Sequence, residues 1–338
     1  MDPTPDVPAG GAPHLPVMAA RVVELLLDGL RPGPALIVDA TIGAAGHAAA
    51  LLAARADLHL VGFDRDPDAL ALAERRLAAY AGRVTLVHSG YDQINHHVTP
   101  VVEHADVPPV GVLYDLGVSS MQLDQAQRGF SFRAEAPLDM RMDPTSDVSA
   151  ANLVNELDVD ELVDLIRRYG EERQALRIAR AIVAARPLRT TTQLADVVYG
   201  AVPAAVRRNS AVHPATRTFQ ALRIAVNREL ERFEASLPQA SDLLAQGGRI
   251  AVLSYHSLED RITKRFFSDA ATGCICPPDL PVCGCGRVPL LRPVTRGAEQ
   301  PDGDEVAANP RARSAKLRAA ERVRANDAFP LVRESEHA

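Results

Sequence analysis

A strand that runs directly into a glycine loop and a helix constrains this chain more than any other feature. The stretch "ALIVDATIGAAGHAAALL" at 35–52 places an apolar strand before Gly43 and Gly46 and an alanine-rich helix after them. The same order repeats through the first 120 residues, which indicates a parallel sheet covered by helices. We predict strands at Ala35–Val38, Leu58–Phe63, Val84–His88 and Val110–Tyr114, with helices near 47–55, 67–80 and 93–104. The second helix should be capped by Asp66, with Pro67 in its first turn.

The alternation stops after Ser120. From about 127 to 212 the sequence shows helical periodicity and loops, with a break at Tyr169-Gly170 and a helix cap at Thr191 or Thr192. The pattern then resumes with one amphipathic helix, "TFQALRIAVNRELERFEASL", and a strand in "GGRIAVLSYHS". An all-helical insertion within one α/β domain explains this order. The predicted division is a disordered leader at 1–13, a discontinuous core at 14–126 and 213–325, a helical insertion at 127–212 and a flexible tail at 326–338.

The composition is that of an ordinary globular protein. It is 47% hydrophobic and 24% charged, and no apolar run approaches the roughly 18 residues that a membrane helix needs. The N-terminus, "MDPTPDVPAGGAP", has neither the basic start nor the apolar centre of a secretory signal. We therefore expect a cytoplasmic protein without a membrane partner. The net charge of −6 does not exclude a nucleic acid, because binding a polyanion requires only a local basic surface.

Three kinds of ligand suit a strand, a glycine loop and a helix. A mononucleotide P-loop fails, because His47 and Ala48 follow Gly46 where Lys and Ser/Thr are needed. A dinucleotide fold requires G-x-G-x-x-G, and the middle glycine is missing. S-adenosylmethionine has no pyrophosphate and asks for acids near its ribose and its ammonium group. Ligands of open α/β sheets bind at the carboxyl ends of the strands. The candidates there are Asp39 for the ammonium, Asp64 for the ribose, the segment Ser89–Asp92 and Asp115, so the methyl donor is favoured over a dinucleotide.

Long ordered motifs give the chain a family resemblance. It resembles the bacterial 16S rRNA cytosine-N4 methyltransferase family, RsmH or MraW. The motifs that carry the resemblance run nearly end to end: "HLPVM" at 14–18, "DATIGAAGH" at 39–47, "DRDP" at 64–67, "DLGVSSMQLD" at 115–124, "RGFSF" at 128–132, "PLDMRMD" at 137–143, "YGEER" at 169–173, "HPATRTFQALRIAVN" at 213–227, "GGRIAVLSYHSLEDRITKRFF" at 247–267 and "NPRARSAKLRAAERV" at 309–323.

The resemblance implies methyl transfer from S-adenosylmethionine to N4 of the cytosine at position 1402 of 16S rRNA, in the decoding region of the small subunit. It also implies a class I S-adenosylmethionine-dependent methyltransferase (Rossmann-like) core with an inserted all-helical domain for RNA recognition. The expected partner is 16S rRNA within small-subunit particles, and a homodimer is an expectation for the oligomeric state. Carried over by position, the cofactor contacts fall on Ala45, Gly46, His47, Asp64, Tyr91, Asp115 and Gln122.

One position departs from the family pattern. The family usually has Gly-Gly-His where this chain has Ala45-Gly46-His47. The methyl group of Ala45 would crowd the ligand if the loop needs a positive φ at that residue.

The chemistry points to a hydrogen-bond acceptor near the target amine. The N4 lone pair is delocalised into the ring, so an acceptor that relieves the charge developing on nitrogen would help catalysis. Asp115 is the predicted catalytic residue, since it ends the fourth strand and enters the loop where other amino methyltransferases hold their base. Ser119 or Ser120 is predicted to cap the next helix. Tyr255 and His256, after the last core strand, are candidates to stack on or hydrogen-bond the base.

Arginines and cysteines supply two further expectations. Arginines are predicted to contact phosphates at one junction (Arg207, Arg208, Arg217, Arg223, Arg228) and in a basic tail (Arg311, Arg313, Lys316, Arg318, Arg322, Arg324). All four cysteines lie in "CICPPDLPVCGC", as two C-x-C pairs. They would either bind a zinc or iron ion or remain free thiols. Both alternatives stay open, because structural zinc sites usually have two to four residues between paired ligands and these pairs have one.

Two rival functions stay open at this stage. The chain could be a nicotinamide oxidoreductase, although the missing middle glycine disfavours it. It could also be a non-catalytic RNA-binding assembly factor with a vestigial cofactor site.

Overall fold

The computed structural model describes residues 16–210, 212–277, 282–326 and 332–333. The predicted leader at 1–13 lies outside the described residues. The strands are β1 (Ala35–Asp39), β2 (Leu58–Asp64), β3 (Val84–His88), β4 (Pro109–Asp115), β5 (Arg249–Ser254), β6 (Leu291–Pro293) and β7 (Lys316–Arg322). The helices are α1 (Ala19–Leu27), α2 (Gly46–Ala54), α3 (Pro67–Arg76), α4 (Ile94–Ala105), α5 (Ser120–Asp124), α6 (Ala150–Glu156), α7 (Val159–Gly170), α8 (Ala175–Ala184), α9 (Thr191–Ala201), α10 (Ala204–Arg208), α11 (Ala215–Asn227), α12 (Glu229–Leu243), α13 (Ser257–Ala271) and α14 (Gly303–Ala308).

One seven-stranded sheet forms the centre of the molecule, in the order β3-β2-β1-β4-β5-β7-β6. Strands β1 to β5 are parallel to one another, whereas β7 runs antiparallel to both β5 and β6. The chain winds outward from β1 to β3 and returns to β4 on the other side of β1. Ligands of such sheets bind at this switch point, outside the carboxyl ends of the strands. The predicted class I methyltransferase fold with a helical insert is confirmed.

The inner strands β1, β2, β4 and β5 are buried on both faces, so they read as nearly continuous apolar runs. Side chains alternate along β1: Leu36 and Val38 join the cluster under α4, α12 and α13, and Ile37 joins the cluster under α1 and α2. Burial of both faces fixes the register of each strand, because a slip of one residue would exchange the two faces. The polar residues that end these strands are therefore held at defined positions. Among the described helices, none is long and apolar enough to cross a membrane.

The helical region has a hydrophobic core of its own. Helices α6 to α9 and α11 bury Leu162, Ile166, Ile178, Ile182 and Leu222 against one another. Within the described part of 127–212, backbone pairing of the strand type is confined to a single bridge between Pro137 and Thr190. Because this core continues into α11, the helical cluster extends past the predicted boundary at 212, and the division of the chain stays a prediction.

Helix caps follow the sequence with one shift. Asp66 caps α3 by accepting from the amide of Asp68, as predicted, and α7 ends at Gly170. The cap of α9 is Thr190, not Thr191 or Thr192, and Gln193 completes a capping box with it. Thr191 is buried, and its hydroxyl donates to the carbonyl of Ala134 at 2.9 Å. Local polarity placed the helix start correctly to within one residue.

The single helix predicted for 218–237 is wrong, because the structure divides it. Arg228 adopts φ 51°, which ends α11 and starts α12. The buried Asn227 side chain donates to the carbonyl of Met140 and accepts from the amide of Met142, each at 2.8 Å. Helix α11 is thereby tied to the helical region, while α12 packs Phe233 on the sheet. Both halves carry an apolar face, so the periodicity continues across the break and hides it.

The prediction that Lys316, Arg318 and Arg322 belong to a tail is also wrong, because residues 316–322 form β7 inside the sheet. Within the predicted flexible tail, Val332 and Arg333 are described and buried. The amide of Val332 donates to the carbonyl of Gln246 at 3.0 Å, and the Arg333 guanidinium donates to the carbonyl of Asp28 at 3.0 Å. These two residues close over the start of β5, whereas 327–331 and 334–338 lie outside the described residues.

Candidate functional site

The loop between β1 and α2 joins the ends of three strands. Asp39 ends β1 and accepts from the amide of Thr41 at 3.1 Å. The Thr41 hydroxyl accepts from the amide of Asp115, at the end of β4, at 2.7 Å. Gly43, at φ 49°, donates its amide to Asp64, at the end of β2, at 3.0 Å. The predicted carboxylates Asp39, Asp64 and Asp115 therefore meet at the switch point of the sheet.

Ala45 sits in the backbone conformation that makes its methyl group significant. It is the N-cap of α2 with φ 57° and is fully buried. Ala45 therefore has the positive φ at which its methyl group was expected to crowd the ligand. This left-handed conformation normally favours glycine by about 1 kcal/mol. Gly46 needs its missing side chain for a different reason: a Cβ there would lie 3.0 Å from Cβ of Pro16. The segment that precedes α1 therefore packs against this loop.

His47 is held between that segment and Asp115. It is 5% exposed, and its Nε2 lies 2.8 Å from the carbonyl of Val17. Because a carbonyl can only accept, Nε2 carries a hydrogen. Its Nδ1 lies 3.5 Å from Oδ2 of Asp115. The imidazole ring is therefore positioned between the Val17 carbonyl and the Asp115 carboxyl group.

The pKa values of the three carboxyl groups are all raised, and desolvation is the largest cause for each of them. Burial is the main cause that raises the pKa of Asp39 to about 7; Asp115 and Asp64 act in the same direction, whereas His47 and the amide of Thr41 oppose it. Burial also raises the pKa of Asp64 to about 6, against the lowering effect of amide donors from Asp66 and Gly43. The pKa of Asp115 is raised in the same direction by burial. Three acids at one edge of the sheet favour a positively charged ligand.

Tyr255 is a partner of Asp115 that sequence reasoning missed. Its hydroxyl donates to Oδ1 of Asp115 at 2.7 Å, and burial beside that carboxylate raises the pKa of the phenol well above its usual value. Tyr255 therefore remains a donor at physiological pH. Its backbone amide donates to the buried Glu259 at 2.8 Å, which fixes the strand end. His256 caps α13 in a capping box with Glu259, so both residues predicted for the base already have contacts within the protein.

Tyr91 and Gln122 lie behind the carboxyl groups and contact the residues that surround them. The Tyr91 ring packs edge-on against Tyr114, and its hydroxyl donates to the carbonyl of Glu229 at 3.3 Å. Gln122 is buried and caps α5 together with Ser119, one of the two caps predicted from the sequence. Its side-chain amide donates to Asp66 at 2.9 Å, and the amide of Asp66 donates to Asp64 at 2.9 Å. Gln122 is thus connected to Asp64 through Asp66.

Several of the basic residues predicted to contact phosphates have acidic partners in the protein. Arg223 forms a bidentate pair with the buried Glu229, with both distances at 2.8 Å. Lys316 and Arg318 share Asp260 at 3.2 and 2.7 Å. Arg311 pairs with Asp124 at 2.6 Å, Arg217 lies 3.9 Å from Glu172, and Arg322 is buried. A signal for these pairs was absent from the sequence because most of the partners are distant along the chain.

Known proteins resemble this chain over nearly its whole length. The family model described as MraW methylase family matches residues 11–323. The ribosomal RNA small subunit methyltransferase H of Thermobifida fusca is 55% identical over 315 residues, which are 92% of this chain and 94% of that protein. Its counterpart in Mycobacterium marinum is 51% identical over 318 residues, or 92% of this chain and 80% of that protein.

Solved structures align over a similar share but less closely. A putative rRNA-methylase from Clostridium thermocellum aligns with a TM-score of 0.40 at 13% identity, covering 91% of this chain and 94% of that one. A putative methyltransferase from Streptococcus mutans, solved in complex with SAH, aligns with a TM-score of 0.39 at 13% identity, covering 90% and 96%. On the family match from 11 to 323, and on relatives more than 50% identical, the chain belongs to the MraW methylase family.

Proposed function

We propose that this chain transfers a methyl group from S-adenosylmethionine to N4 of a cytosine in small-subunit rRNA, at position 1402 of the decoding region. The observation that carries the proposal is the meeting of three carboxyl groups, Asp39, Asp64 and Asp115, around the loop that starts α2. The relatives named for methylation of small-subunit ribosomal RNA support the choice of substrate. The reaction would take place in the cytoplasm, with 16S rRNA in small-subunit particles as partner.

The charge of the site favours this cofactor over its rivals. S-adenosylmethionine carries a sulfonium and an ammonium group, and a cation near buried carboxylates stabilises their ionised form. A nicotinamide dinucleotide would instead place a pyrophosphate anion among three acids, where like charges repel. Asp64 keeps acceptor capacity on both oxygens beyond its two amide donors, as a ribose diol requires. Asp39 would accept from the ammonium group, which would lower its raised pKa.

The remaining cofactor contacts follow from the same surroundings. The backbone of Ala45, Gly46 and His47 would lie against the cofactor at the start of α2, and Tyr91 would flank the adenine. Gln122 would act through Asp66 on Asp64, since its side-chain amide reaches Asp66 at 2.9 Å. When bound, the cofactor supplies the activated methyl group. The protein then contributes alignment and the exclusion of water.

Asp115 is the residue proposed to act on the target amine. Its carboxylate would accept a hydrogen bond from the N4 amino group, localising the nitrogen lone pair as the N–C bond forms and the C–S bond breaks. The proton released from nitrogen would pass to Asp115 or to solvent. The Tyr255 hydroxyl donates to Oδ1 of Asp115 at 2.7 Å, and Nδ1 of His47 lies 3.5 Å from Oδ2, so the carboxylate is oriented before the substrate arrives.

The helical region offers a surface suited to unpaired bases, which supports its proposed role in RNA recognition. Tyr199 is 45% exposed, and the guanidinium of Arg207 lies 4.2 Å above its ring. The His213 ring stacks on the Tyr199 ring at 5.6 Å and continues to Phe132 at 4.8 Å. Aromatic rings interleaved with arginine are the means by which proteins stack single-stranded bases. We call these four residues the Tyr199 surface.

A single-turnover assay tests the proposed function. The enzyme is mixed with labelled S-adenosylmethionine and small-subunit particles that lack the modification, and digested rRNA is assayed for N4-methylcytosine. Label in that nucleoside is the expected result. Particle binding without transfer would instead favour an assembly factor, and thermal protection by a nicotinamide dinucleotide but not by the methyl donor would favour an oxidoreductase. Sedimentation equilibrium of the same preparation tests for a homodimer.

Asp115→Asn separates catalysis from cofactor binding. Loss of one well-placed acceptor typically costs about 3–4 kcal/mol, or roughly 10²–10³ in turnover. We expect that loss to persist at saturating cofactor. Asp106→Asn is the matched control, since Asp106 is exposed and its left-handed backbone suits asparagine. Recovery of Asp115→Asn to parent turnover at high cofactor would leave Asp115 as a binding residue.

A further inference from the structure

The four cysteines lie together outside the candidate cofactor site, in the connection between α13 and β6. Cys274, Cys276, Cys283 and Cys285 are all the cysteines of the chain. Their sulfur atoms lie within 4.8 Å of one another. The Sγ atom of Cys274 is 3.3 Å from that of Cys283 and 3.8 Å from that of Cys285, and the last two are 3.5 Å apart. All four are free thiols, and these separations are far beyond the roughly 2.0 Å of a disulfide bond.

These separations match the size of one tetrahedral metal ion. Zinc binds thiolates at about 2.3 Å, which places the corners of a ZnS₄ tetrahedron about 3.8 Å apart. An iron–sulfur cluster would spread its cysteines further, because iron and sulfide atoms lie between them. The two C-x-C pairs each supply two corners, and the backbone amide of Cys276 donates to Sγ of Cys274 at 3.4 Å. The arrangement therefore suits a single ion of the soft, tetrahedral kind.

Hydrophobic burial contributes little to the described part of this connection. Three of the apolar side chains described in it are exposed: Ile275 by 61%, Val282 by 76% and Val288 by 55%. The described residues between 272 and 290 form no helix or strand, and a loop of this length without such elements is usually a functional or a linker segment. At its far end the amide of Leu290 donates to the carbonyl of Ala270 at 2.8 Å. A metal crosslink would close the segment between these anchors.

We propose that Cys274, Cys276, Cys283 and Cys285 bind one zinc ion as a structural site. Four protein ligands complete the tetrahedron and leave no position for water or substrate, so the ion would be structural and not catalytic. The site would clip the end of α13 to β6, which is the edge strand of the sheet. It requires neither the methyl donor nor RNA, so it stands or falls independently of the proposed reaction.

Metal content and thiol reactivity of the full-length protein test this site directly. The protein is purified without chelator and assayed for zinc and iron by elemental analysis. Because the chain has no other cysteine, a thiol reagent reports on this site alone. We expect about one zinc per chain, slow reaction of the thiols, and release of zinc as they react. The double variant Cys283→Ser/Cys285→Ser should lose nearly all zinc, whereas Val282→Ser, an exposed neighbour, should keep it.

Cobalt substitution and proteolysis give readouts that do not depend on the variants folding. Cobalt loaded in place of zinc should show the strong visible bands of tetrahedral thiolate coordination. Chelation should expose 272–290 to protease while the sheet stays intact. A metal-free protein with four rapidly reacting thiols would overturn the proposal, as would two disulfides. Iron found instead of zinc would overturn the assignment of the ion.

Discussion

Replacing Asp39 by asparagine tests whether the ionised Asp39 carboxylate lowers the stability of the ligand-free protein. Asp39 is 2% exposed, and burial among other acids raises its pKa from 3.8 to about 7. A pKa that is higher in the folded state means that stability is present at low pH and is lost as the pH rises through the folded value. Between pH 5 and pH 8 the loss amounts to roughly 2–3 kcal/mol, since a pKa difference of one between folded and unfolded protein corresponds to about 1.4 kcal/mol.

Asp39→Asn removes the charge but keeps an oxygen to accept from the amide of Thr41. The variant should therefore gain stability relative to the parent as the pH rises, by roughly 2–3 kcal/mol between pH 5 and pH 8. Urea unfolding of ligand-free protein at both pH values measures the gain, and calorimetry should show weaker binding of S-adenosylmethionine. Saturating S-adenosylmethionine should flatten the parent's pH dependence, because a bound cation lowers the pKa of Asp39.

Asp57→Asn is the matched control, because the pKa of Asp57 is shifted in the opposite direction. The Arg55 guanidinium beside Asp57 lowers the pKa of that carboxyl, with a contact at 2.6 Å. Stability from Asp57 is present at neutral pH and lost on acidification, so Asp57→Asn should lower stability at pH 8. The reasoning is refuted if Asp39→Asn gains no more at pH 8 than at pH 5, or if it binds S-adenosylmethionine as tightly as the parent.

Three further variants test the remaining parts of the site. Asp64→Ala should weaken S-adenosylmethionine binding by roughly 1.5–3 kcal/mol through loss of a charged acceptor for the ribose, and unchanged affinity in calorimetry would contradict the assignment. Tyr255→Phe removes a donor that lowers the pKa of Asp115, so the acidic limb of the pH–rate profile should move to higher pH; an unmoved limb would show that Tyr255 does not act through Asp115. Tyr199→Ala should weaken binding to small-subunit particles by roughly 1–3 kcal/mol without changing cofactor affinity, and Leu176→Ala, also exposed, is its control. Equal particle affinity of the two variants would remove the Tyr199 surface from the recognition site.

The local sequence was sufficient for the sheet and for the acids at its edge. Apolar runs of strand length, separated by helical periodicity, specify a parallel sheet, and a polar residue after such a run must lie at its carboxyl edge. Asp39, Asp64 and Asp115 therefore met where the sequence predicted. Caps such as Asp66 and Ser119 were predictable for the same reason, since each bonds to an amide within its own helical turn.

The tertiary structure decided the contacts between residues far apart in the chain. Tyr255 reaches Asp115 across 140 positions, and His47 reaches back to the carbonyl of Val17. The helix breaks at Arg228 because α11 packs on the helical region and α12 packs on the sheet. Residues 316–322 form β7 because they pair with β5 in the sheet. Local pattern encodes which face a residue presents but not which distant partner meets it. That choice depends on packing of the whole chain, and it turns an acid at a strand end into an oriented acceptor.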